Sequence, residues 1–442
     1  MLSREFILNN RDIIDRIVKI KNIDINTDEL YETIERRKDL ITNLDKLRHE
    51  RNAVSNSIAE IKRAGGDITP VLDKSRIIAS RVKESEKTLK ELEEKESELL
   101  KWIPNIPHPS VPSGKDAVFE IIRERGTFQN SRCKADALMD SVDSYDLKRG
   151  TKISGSHFPL FRNRGAYLER VLINFMLDLH IRKHGYEEVF TPFAVSEETL
   201  FTTGQLPKLK EDMYSIAGED LYLIPTAEPP VTAMYNDEIL TEDQLPMKFT
   251  AYSACFRREA GSYGKETKGL KRVHQFNKVE MVRYTKPENS YDALEEMVIE
   301  AEEVLQLLGL DYRTILLPDN DLSFASSKTY DIEVWAPGTG EFLEVSSVSN
   351  FEDFQSRRGK IRYKNSRNEN QLIHTLNGSG LATPRTVIAI IEQYGDGQDF
   401  EFPPVLQDYI NKGPSIIDNI KRKGIIGLQD YINKGPSIIE NL

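Results

Sequence analysis

Hydrophobic positions between residues 27 and 101 follow a helical repeat. They recur at alternating spacings of four and three, which is the spacing of a coiled-coil seam. The first run is Leu40, Leu44, Leu47, Arg51, Val54, Ile58 and Ile61, and the second is Ile78, Val82, Ser85, Leu89, Leu92, Glu96 and Leu99. Asn26 or Thr27 can cap the first helix, and Gly65-Gly66 breaks it. The pattern predicts an antiparallel helical hairpin of about 57 Å, from about 38 helical residues at 1.5 Å each.

Prolines then mark a domain boundary. The stretch 102–114, WIPNIPHPSVPSG, contains four of them, which exclude a helix or a central strand. We therefore divide the chain into an N-terminal domain at 1–104, a linker at 105–114, a main domain at 115–420 and a tail at 421–442. Within the main domain, 168–195 has the pattern of an amphipathic helix that stops at Gly185 and leads into a strand.

Short alternating runs dominate the rest of the main domain. Residues 249–255 and 276–282 alternate apolar and polar residues, which predicts two half-buried strands. The loop between them is long and basic, and it contains Gly261, Gly264, Gly269, Lys265, Lys268, Lys271 and Arg272. Residues 329–349 read as two strands joined by a Pro-Gly-Thr-Gly turn, and 377–392 as a glycine-rich turn entering a helix. The sequence therefore predicts an α+β fold.

Composition narrows the class of protein. The chain has 442 residues, of which 39% are hydrophobic and 30% charged, as in ordinary globular proteins. It shows no apolar run long enough to span a bilayer and no signal-peptide pattern, so no membrane partner is expected. Two separate cysteines, Cys133 and Cys255, are too few for a disulfide framework or a zinc site. A reducing cytoplasm is the expected location.

Charge is unevenly distributed between the two predicted arm helices. The whole chain carries a net charge of −11, which by itself argues against nucleic-acid binding. Residues 36–63, however, hold eight basic and four acidic residues, a net of +4, whereas 83–97 hold six Glu and four Lys, a net of −2. The pattern alone favours a solvated helix face, and an RNA-backbone surface is the alternative.

The run FRREAGSYGKETKGLKRVHQFNKVE at 256–280 resembles the second signature motif of class II aminoacyl-tRNA synthetases, specifically seryl-tRNA synthetases. The segments 168–195 and 377–392 resemble the first and third motifs. This resemblance implies an antiparallel sheet flanked by helices, a homodimer built on the first motif, and an N-terminal arm for tRNA. It also implies ATP-dependent attachment of L-serine to tRNA(Ser) through a seryl-adenylate, with transfer to the 3′-terminal ribose; tRNA(Sec) is a further acceptor that the sequence leaves open.

The resemblance also assigns residues to substrates. The expected serine-binding residues are Thr226, Ala227, Glu228, Arg257, Glu280 and Ser379. The expected ATP-binding residues are Arg257, Arg258, Glu259, Val273, Phe276, Glu344, Val345, Ser346, Ser347 and Arg385. Mg²⁺ is expected on Glu344 and Ser347, while Arg257, Glu259 and Arg385 are the expected catalytic residues. The expected tRNA-binding residues are Arg36, Arg37, Lys46, Arg48, Arg51, Lys62 and Arg63.

Some of these assignments depend entirely on the resemblance. Without it, Thr226-Ala227-Glu228 carries no signal, and Glu280 is as readily an exposed strand residue as a buried one. The chain departs from the family pattern at Val348, where a cysteine is common, and at Thr383-Pro384, where a Val-Gly pair is usual. Proline is tolerated in the first turn of a helix, so Pro384 is compatible with the predicted helix there.

Two other functions stay open at this point. An amino-acid ligase that loads a carrier protein shares the catalytic motifs but lacks a long arm. A noncatalytic paralogue acting as an RNA-binding or scaffold protein would have lost motif residues, yet all six are present: Arg257, Glu259, Glu280, Glu344, Ser379 and Arg385. Finally, LQDYINKGPSII occurs at 406–417 and again at 428–439, which indicates a tandem duplication and a dispensable tail.

Overall fold

The computed structural model describes residues 2–114, 116–259, 269–418 and 420. Most of the basic loop predicted around residue 265, and the duplicated tail at 421–442, lie outside the described residues. The chain begins with four helices: α1 (Arg4–Asn9), α2 (Arg11–Ile20), α3 (Thr27–Arg63) and α4 (Thr69–Leu100). The Asn26 side chain accepts a hydrogen bond from the Glu29 backbone N–H at 3.2 Å, as the cap prediction requires. The helical hairpin is therefore confirmed.

The seam between α3 and α4 is apolar near its middle. Leu44, Val54, Ile78 and Val82 form one buried cluster there, as the four-three spacing predicts. Arg51, which the spacing places in the seam, is exposed to solvent instead. The other charged seam position, Glu96, is buried at the base of the hairpin, where it pairs with Arg37 and Arg4. Of the two charged seam positions, the one that is buried, Glu96, is thus the one that has partners of opposite charge.

The base of the hairpin packs against α1 and α2. Ile7, Ile14, Leu30, Leu100 and Ile103 belong to a single buried cluster at this point. The proline-rich segment that follows lies on the main domain rather than in solvent, because Asn105 donates side-chain hydrogen bonds to the carbonyl oxygens of Ala325 and Phe351, each at 2.9 Å. The arm is therefore attached to the main domain through a packed segment.

The main domain is built on an eight-stranded sheet with strand order β1-β9-β10-β11-β14-β8-β7-β2. Every neighbouring pair is antiparallel except β2 with β7, which is parallel. Two three-stranded sheets, β13-β12-β6 and β3-β5-β4, flank it. The strands are β1 (Glu120–Arg125), β2 (Glu187–Glu188), β3 (Ala194–Ser196), β4 (Tyr214–Ser215), β5 (Leu221–Leu223), β6 (Ile239–Thr241), β7 (Met247–Phe256), β8 (Gln275–Thr285), β9 (Tyr312–Leu316), β10 (Lys328–Ala336), β11 (Glu341–Asn350), β12 (Arg362–Lys364), β13 (Asn370–Leu372) and β14 (His374–Ala382).

Helices cover the sheet, so the α+β prediction is confirmed. They are α5 (Ala135–Ser141), α6 (Leu147–Ser154), α7 (Asn163–Arg182), α8 (Glu197–Thr203), α9 (Glu228–Thr232), α10 (Ser290–Leu308), α11 (Phe354–Gly359), α12 (Thr383–Tyr394), α13 (Pro404–Lys412) and α14 (Ser415–Asp418). Helices α7, α10 and α12 share the main buried cluster with the sheet. None of the helices in the described part of the chain is long and apolar enough to cross a membrane.

One sequence prediction is wrong in the main domain. The glycine-rich stretch at the start of 377–392 is not a turn but part of strand β14, and α12 begins only after it. The reason is packing: a Cβ on Gly378 would lie 3.1 Å from the Val348 side chain, and a Cβ on Gly380 would collide with His180. These glycines therefore allow close contact between neighbouring elements. Pro384 lies in the first turn of α12, as predicted.

Candidate active site

The predicted strand hairpin brings the candidate residues together. Strands β7 and β8 pair in antiparallel register, with Ala251 opposite Glu280 and Ser253 opposite Lys278. The hairpin opens onto a cavity of about 670 Å³ that is also lined by β11, β14 and the segment 203–209. This volume lies within the range of about 300–1,000 Å³ that is common for sites of small ligands. The cavity is therefore the candidate active site.

One end of the cavity is rich in carboxylates. Glu280 lies just beneath the cavity wall and is 1% exposed. The alternative that Glu280 is an exposed residue of its strand is therefore wrong. Its carboxylate pairs with Lys278 Nζ at 2.6 Å and accepts hydrogen bonds from Thr226 Oγ1 at 2.8 Å and Asn377 Nδ2 at 3.0 Å. A buried carboxylate needs such partners because desolvation alone would disfavour its charge. We call this group, together with Glu228, the carboxylate end.

Glu228 is the second buried carboxylate at this end. It accepts hydrogen bonds from the side-chain amides of Gln355 at 2.7 Å and Gln205 at 3.1 Å. Burial, and next the nearby charge of Glu280, raises the pKa of Glu228 to about 7. Of these two carboxylates, only that of Glu280 pairs with an ammonium, that of Lys278. The carboxylate end has room for one more positive charge, which an amino-acid ammonium would supply.

A second group of residues on the cavity wall is rich in arginine and lysine, and we call it the cationic end. The Arg257 guanidinium lies 5.1 Å from the centre of the Phe276 ring, and its Nε donates to the Pro225 carbonyl at 3.4 Å. Arg385 donates to the carbonyl oxygens of Glu344 at 2.8 Å and Lys271 at 3.2 Å. No residue of the described chain forms a salt bridge with Arg257. This cationic end suits a phosphate-bearing ligand.

Oxygen donors lie beside the cationic end. Glu344 and Ser347 line the cavity, and Asp331 lies opposite Ser347 on the neighbouring strand. Asp331 Oδ1 is buried and has no hydrogen-bond partner among the described residues, and burial raises the pKa of its carboxyl well above the ordinary value. Carboxylate and hydroxyl oxygens are the ligands that Mg²⁺ prefers. The donors therefore fit magnesium, although no group of three or more His, Cys, Asp or Glu side chains among the described residues could hold a metal ion.

Most of the predicted site residues line this single cavity. They are Thr226, Glu228, Arg257, Glu259, Val273, Phe276, Glu344, Val345, Ser347, Ser379 and Arg385. Four others are adjacent to the cavity rather than on its wall. Ala227 and Glu280 are buried beneath the wall. Ser346 donates its hydroxyl to the Ser379 carbonyl at 2.7 Å, and the Arg258 backbone N–H donates to the Asp212 carbonyl at 3.0 Å. Glu259, at the loop entrance, pairs with Arg272 at 3.2 Å.

Sequence reasoning missed several residues of the carboxylate end. Alternation puts Lys278 on the same face of the strand as Glu280, two positions away, but its ion pair with Glu280 was not predicted. Asn377, Gln205 and Gln355 come from three distant segments, and no local pattern connects them to Glu280 or Glu228. Val348, the departure from the family pattern, is fully buried against Gly378 and lies outside the cavity wall.

The candidate tRNA-binding residues all lie on α3 of the arm. Arg48 pairs with Glu86 at 2.9 Å and Arg37 with Glu93 at 2.9 Å, so both connect the two arm helices. The other five are exposed and form no salt bridge within the described part of the chain: Arg36, Lys46, Arg51, Lys62 and Arg63. These five give α3 a cationic surface that is not neutralised by α4.

Comparisons with known proteins agree over most of the chain. The family described as "Seryl-tRNA synthetase N-terminal domain" matches residues 1–107, and "tRNA synthetase class II core domain (G, H, P, S and T)" matches residues 212–394. A serine–tRNA ligase from Carboxydothermus hydrogenoformans is 44% identical over 429 residues, which cover 96% of this chain and 100% of that protein. One from Chloroherpeton thalassium is 45% identical over 426 residues, which cover 93% of this chain and 99% of that protein.

Solved structures give the same result. The crystal structure of seryl-tRNA synthetase from Pyrococcus horikoshii complexed with ATP has a TM-score of 0.87 and 33% identity, covering 93% of this chain and 98% of that one. The cytoplasmic serine–tRNA ligase from Naegleria fowleri in complex with AMP has a TM-score of 0.82 and 28% identity, with the same coverage. The chain therefore belongs to the seryl-tRNA synthetase family, and it is an aminoacyl-tRNA ligase that attaches serine to tRNA.

Proposed function

We propose that the enzyme joins L-serine to tRNA(Ser) in two steps at this cavity. In the first, a serine carboxylate oxygen attacks the α-phosphorus of ATP, a P–O bond forms, and pyrophosphate leaves. In the second, the 3′-hydroxyl of the terminal tRNA ribose attacks the adenylate carbonyl and AMP leaves. The observation that carries the proposal is one cavity with a carboxylate end and a cationic end. On the same resemblance, tRNA(Sec) is a second acceptor to be tested.

Serine is placed at the carboxylate end. Its ammonium supplies the positive charge that Glu228 lacks and adds to that of Lys278 beside Glu280. Its side-chain hydroxyl is small enough to lie beside Thr226 and Ser379. A site that hydrogen-bonds a substrate hydroxyl discriminates strongly against an analogue without one, because its own polar groups are then left unpaired. This arrangement favours serine over alanine.

ATP is placed at the cationic end. Phe276 offers a flat apolar ring for adenine, and Arg257 and Arg385 are fixed charges beside the phosphates. No side chain needs to act as a nucleophile, because the serine carboxylate is the nucleophile. The contribution of the protein is therefore to position the two substrates and to stabilise the charge that develops on the phosphates.

Magnesium belongs to the same proposal. Glu344 and Ser347 are the residues that would hold it, and the unpaired oxygen of Asp331 lies on the next strand. Mg²⁺ usually keeps several waters and binds through one or two carboxylates together with substrate phosphates, so two protein ligands are sufficient. When bound, it would neutralise phosphate charge.

The arm is proposed to bind tRNA through the cationic surface of α3. Its 37 residues make α3 about 56 Å long, which is enough to reach the body of a tRNA whose acceptor end enters the cavity. Lysine and arginine contacts to phosphates release counterions, so binding should weaken as salt rises.

A homodimer built on α7 and the strand after it is also proposed. Strand β2 lies at one edge of the eight-stranded sheet, and Phe190, two residues beyond it, is 77% exposed. An exposed edge and a large exposed apolar side chain are features that a symmetric partner would cover.

One experiment separates this function from its two alternatives. Activation is followed with labelled pyrophosphate, ATP and each amino acid in turn, and transfer is followed with each labelled amino acid together with ATP and either tRNA or a carrier protein. We expect serine-dependent exchange of pyrophosphate into ATP and label transferred from serine to tRNA. Label on a carrier protein would instead support a carrier-protein ligase, and absence of exchange with every amino acid would support a noncatalytic paralogue.

A further inference from the structure

Arg358, on the short helix α11, is a buried arginine that the proposed chemistry does not use. Its side chain is 7% exposed. Its Nη1 donates hydrogen bonds to the carbonyl oxygens of Phe201 at 2.8 Å and Leu206 at 3.1 Å, and its Nη2 donates to that of Lys101 at 3.0 Å. One guanidinium thus connects α11 with the stretch 201–206 and with Lys101 at the end of the arm.

The surroundings of Arg358 are apolar. Its guanidinium lies 4.4 Å from the ring centre of Phe201, 4.6 Å from that of Phe354 and 5.4 Å from that of Phe324. No carboxylate of the described residues forms a salt bridge with it, and burial lowers its pKa to about 9. A buried cation without a counter-ion is costly. Three backbone carbonyls and the ring faces are what stabilise it there.

Two of those carbonyls belong to functionally different parts of the molecule. Lys101 directly follows the second arm helix, α4. Leu206 lies in the segment 203–209, and its neighbour Gln205 donates a hydrogen bond to Glu228 at 3.1 Å. On the same helix as Arg358, Gln355 donates to Glu228 at 2.7 Å. Helix α11 therefore lies between the base of the arm and the carboxylate end of the cavity.

Lys21 and Lys208 form a second connection between the N-terminal domain and the cavity wall. Lys21, at the end of α2 in the N-terminal domain, donates its buried ammonium to the Leu322 carbonyl, and Leu322 lines the cavity. Lys208, in the segment 203–209, donates in return to the Lys21 carbonyl at 3.0 Å. The N-terminal domain thus contacts two stretches of the cavity wall from outside, although none of its described residues lies on the wall itself.

We propose that the N-terminal domain completes the serine-binding end of the cavity, with Arg358 as the positioning residue that joins the arm base to the segment 203–209. The proposal rests on the proposed function, in which that end binds serine. Its consequence is that the affinity for serine depends on the seating of the arm base even when no tRNA is bound. ATP binding is affected little, because the hydrogen bonds and ring contacts of Arg358 within the described chain do not involve Phe276, Arg257 or Arg385.

The test compares Arg358→Gln with Arg357→Gln in serine-dependent pyrophosphate exchange without tRNA. Arg357 is the matched control, because it lies on the same helix but pairs at the surface with Asp353. For Arg358→Gln we expect the serine KM to rise about tenfold or more, with the ATP KM unchanged within about twofold, because charge-assisted hydrogen bonds from Arg358 hold the segment 203–209 against the arm base. Arg358→Lys, which keeps the charge but not the fork, should give an intermediate serine KM.

An unchanged serine KM in a folded Arg358→Gln protein would overturn the proposal, as would equal changes in both KM values. If that variant does not fold, Lys21→Met decides, because it removes the Leu322 contact from within the N-terminal domain and leaves the cavity wall intact. We expect it to raise the serine KM at least about twofold, and no change would overturn the proposal. The wild-type protein is measured first: absence of serine-dependent exchange there would contradict the proposed function instead.

Discussion

Replacing Glu280 with glutamine removes the charge at the carboxylate end while preserving the shape of the side chain. Glutamine can still accept from Thr226, but it cannot pair with an ammonium as a carboxylate does. The change therefore weakens the electrostatic attraction for the serine ammonium without opening a cavity. Both Glu280→Gln and Glu280→Ala leave Lys278 without its counter-ion, but glutamine keeps an oxygen that can accept a hydrogen bond from Lys278, whereas alanine removes that acceptor and opens a cavity.

The size of the effect follows from the contact that is lost. A hydrogen bond to a charged group contributes about 1.5–3 kcal/mol, which corresponds to about 10- to 150-fold in an equilibrium constant. The serine kcat/KM should fall by a factor in this range. The ATP KM should stay within about twofold of its wild-type value, because Phe276, Arg257 and Arg385 are unchanged.

The assay is pyrophosphate exchange at saturating ATP with serine varied, and the thermal midpoint of each protein is measured in parallel. Glu219→Gln is the control, because Glu219 is an exposed carboxylate in the turn between β4 and β5. A folded Glu280→Gln protein with the serine kcat/KM of the wild type would show that serine does not bind against Glu280, and the placement of both substrates in the cavity would then have to be abandoned.

Four further predictions rest on the described contacts. The pKa of Glu228 is raised to about 7, and a serine ammonium favours the ionised carboxylate, so serine binding should release a proton at acidic pH. The serine KM should therefore rise up to about tenfold per pH unit below pH 7, and a serine KM that stays constant between pH 5.5 and 8 would contradict this. Because protonated Glu228 is favoured in the substrate-free fold, it stabilises that fold below pH 4.5, the ordinary pKa, and this contribution is lost as pH rises through about 7. The free energy of unfolding in urea, measured without serine across this pH range, checks the prediction. Reversing Lys46, Arg51 and Lys62 to glutamate should raise the tRNA KM and reduce the salt slope of binding by about 2 to 3, with exchange unchanged; equal tRNA binding would exclude the α3 surface. Truncation after Ile420 should leave melting temperature and charging unchanged, because the first copy of the repeat already packs in the main core, and a loss of either would show that the second copy is required.

The arm and the paired strands could be predicted from sequence because each depends on local periodicity. The four-three spacing fixed the facing positions of α3 and α4, and alternation placed Glu280 on the same face as Lys278. Arg51 shows the limit of the method, since a charged residue at a seam position can rotate to solvent where the helices allow it. The motif residues were found through the family resemblance, not through periodicity.

The remaining parts of the site depend on contacts between distant segments. Gln205, Gln355 and Asn377 meet the two carboxylates only after α8, α11 and β14 have packed together. The glycines of β14 were misread as a turn because glycine is common both in turns and where elements approach closely, and only the neighbouring Val348 and His180 distinguish the two. Such information is absent from any single stretch of sequence.

The most direct test of the central claim is a crystal structure of the protein with a non-hydrolysable seryl-adenylate analogue. We predict that the ammonium of the analogue lies about 3 Å from a carboxylate oxygen of Glu280 or Glu228, with adenine on Phe276 and the phosphate mimic beside Arg257. The account would be contradicted by an analogue whose ammonium lies away from both carboxylates while Glu280 remains paired with Lys278 alone.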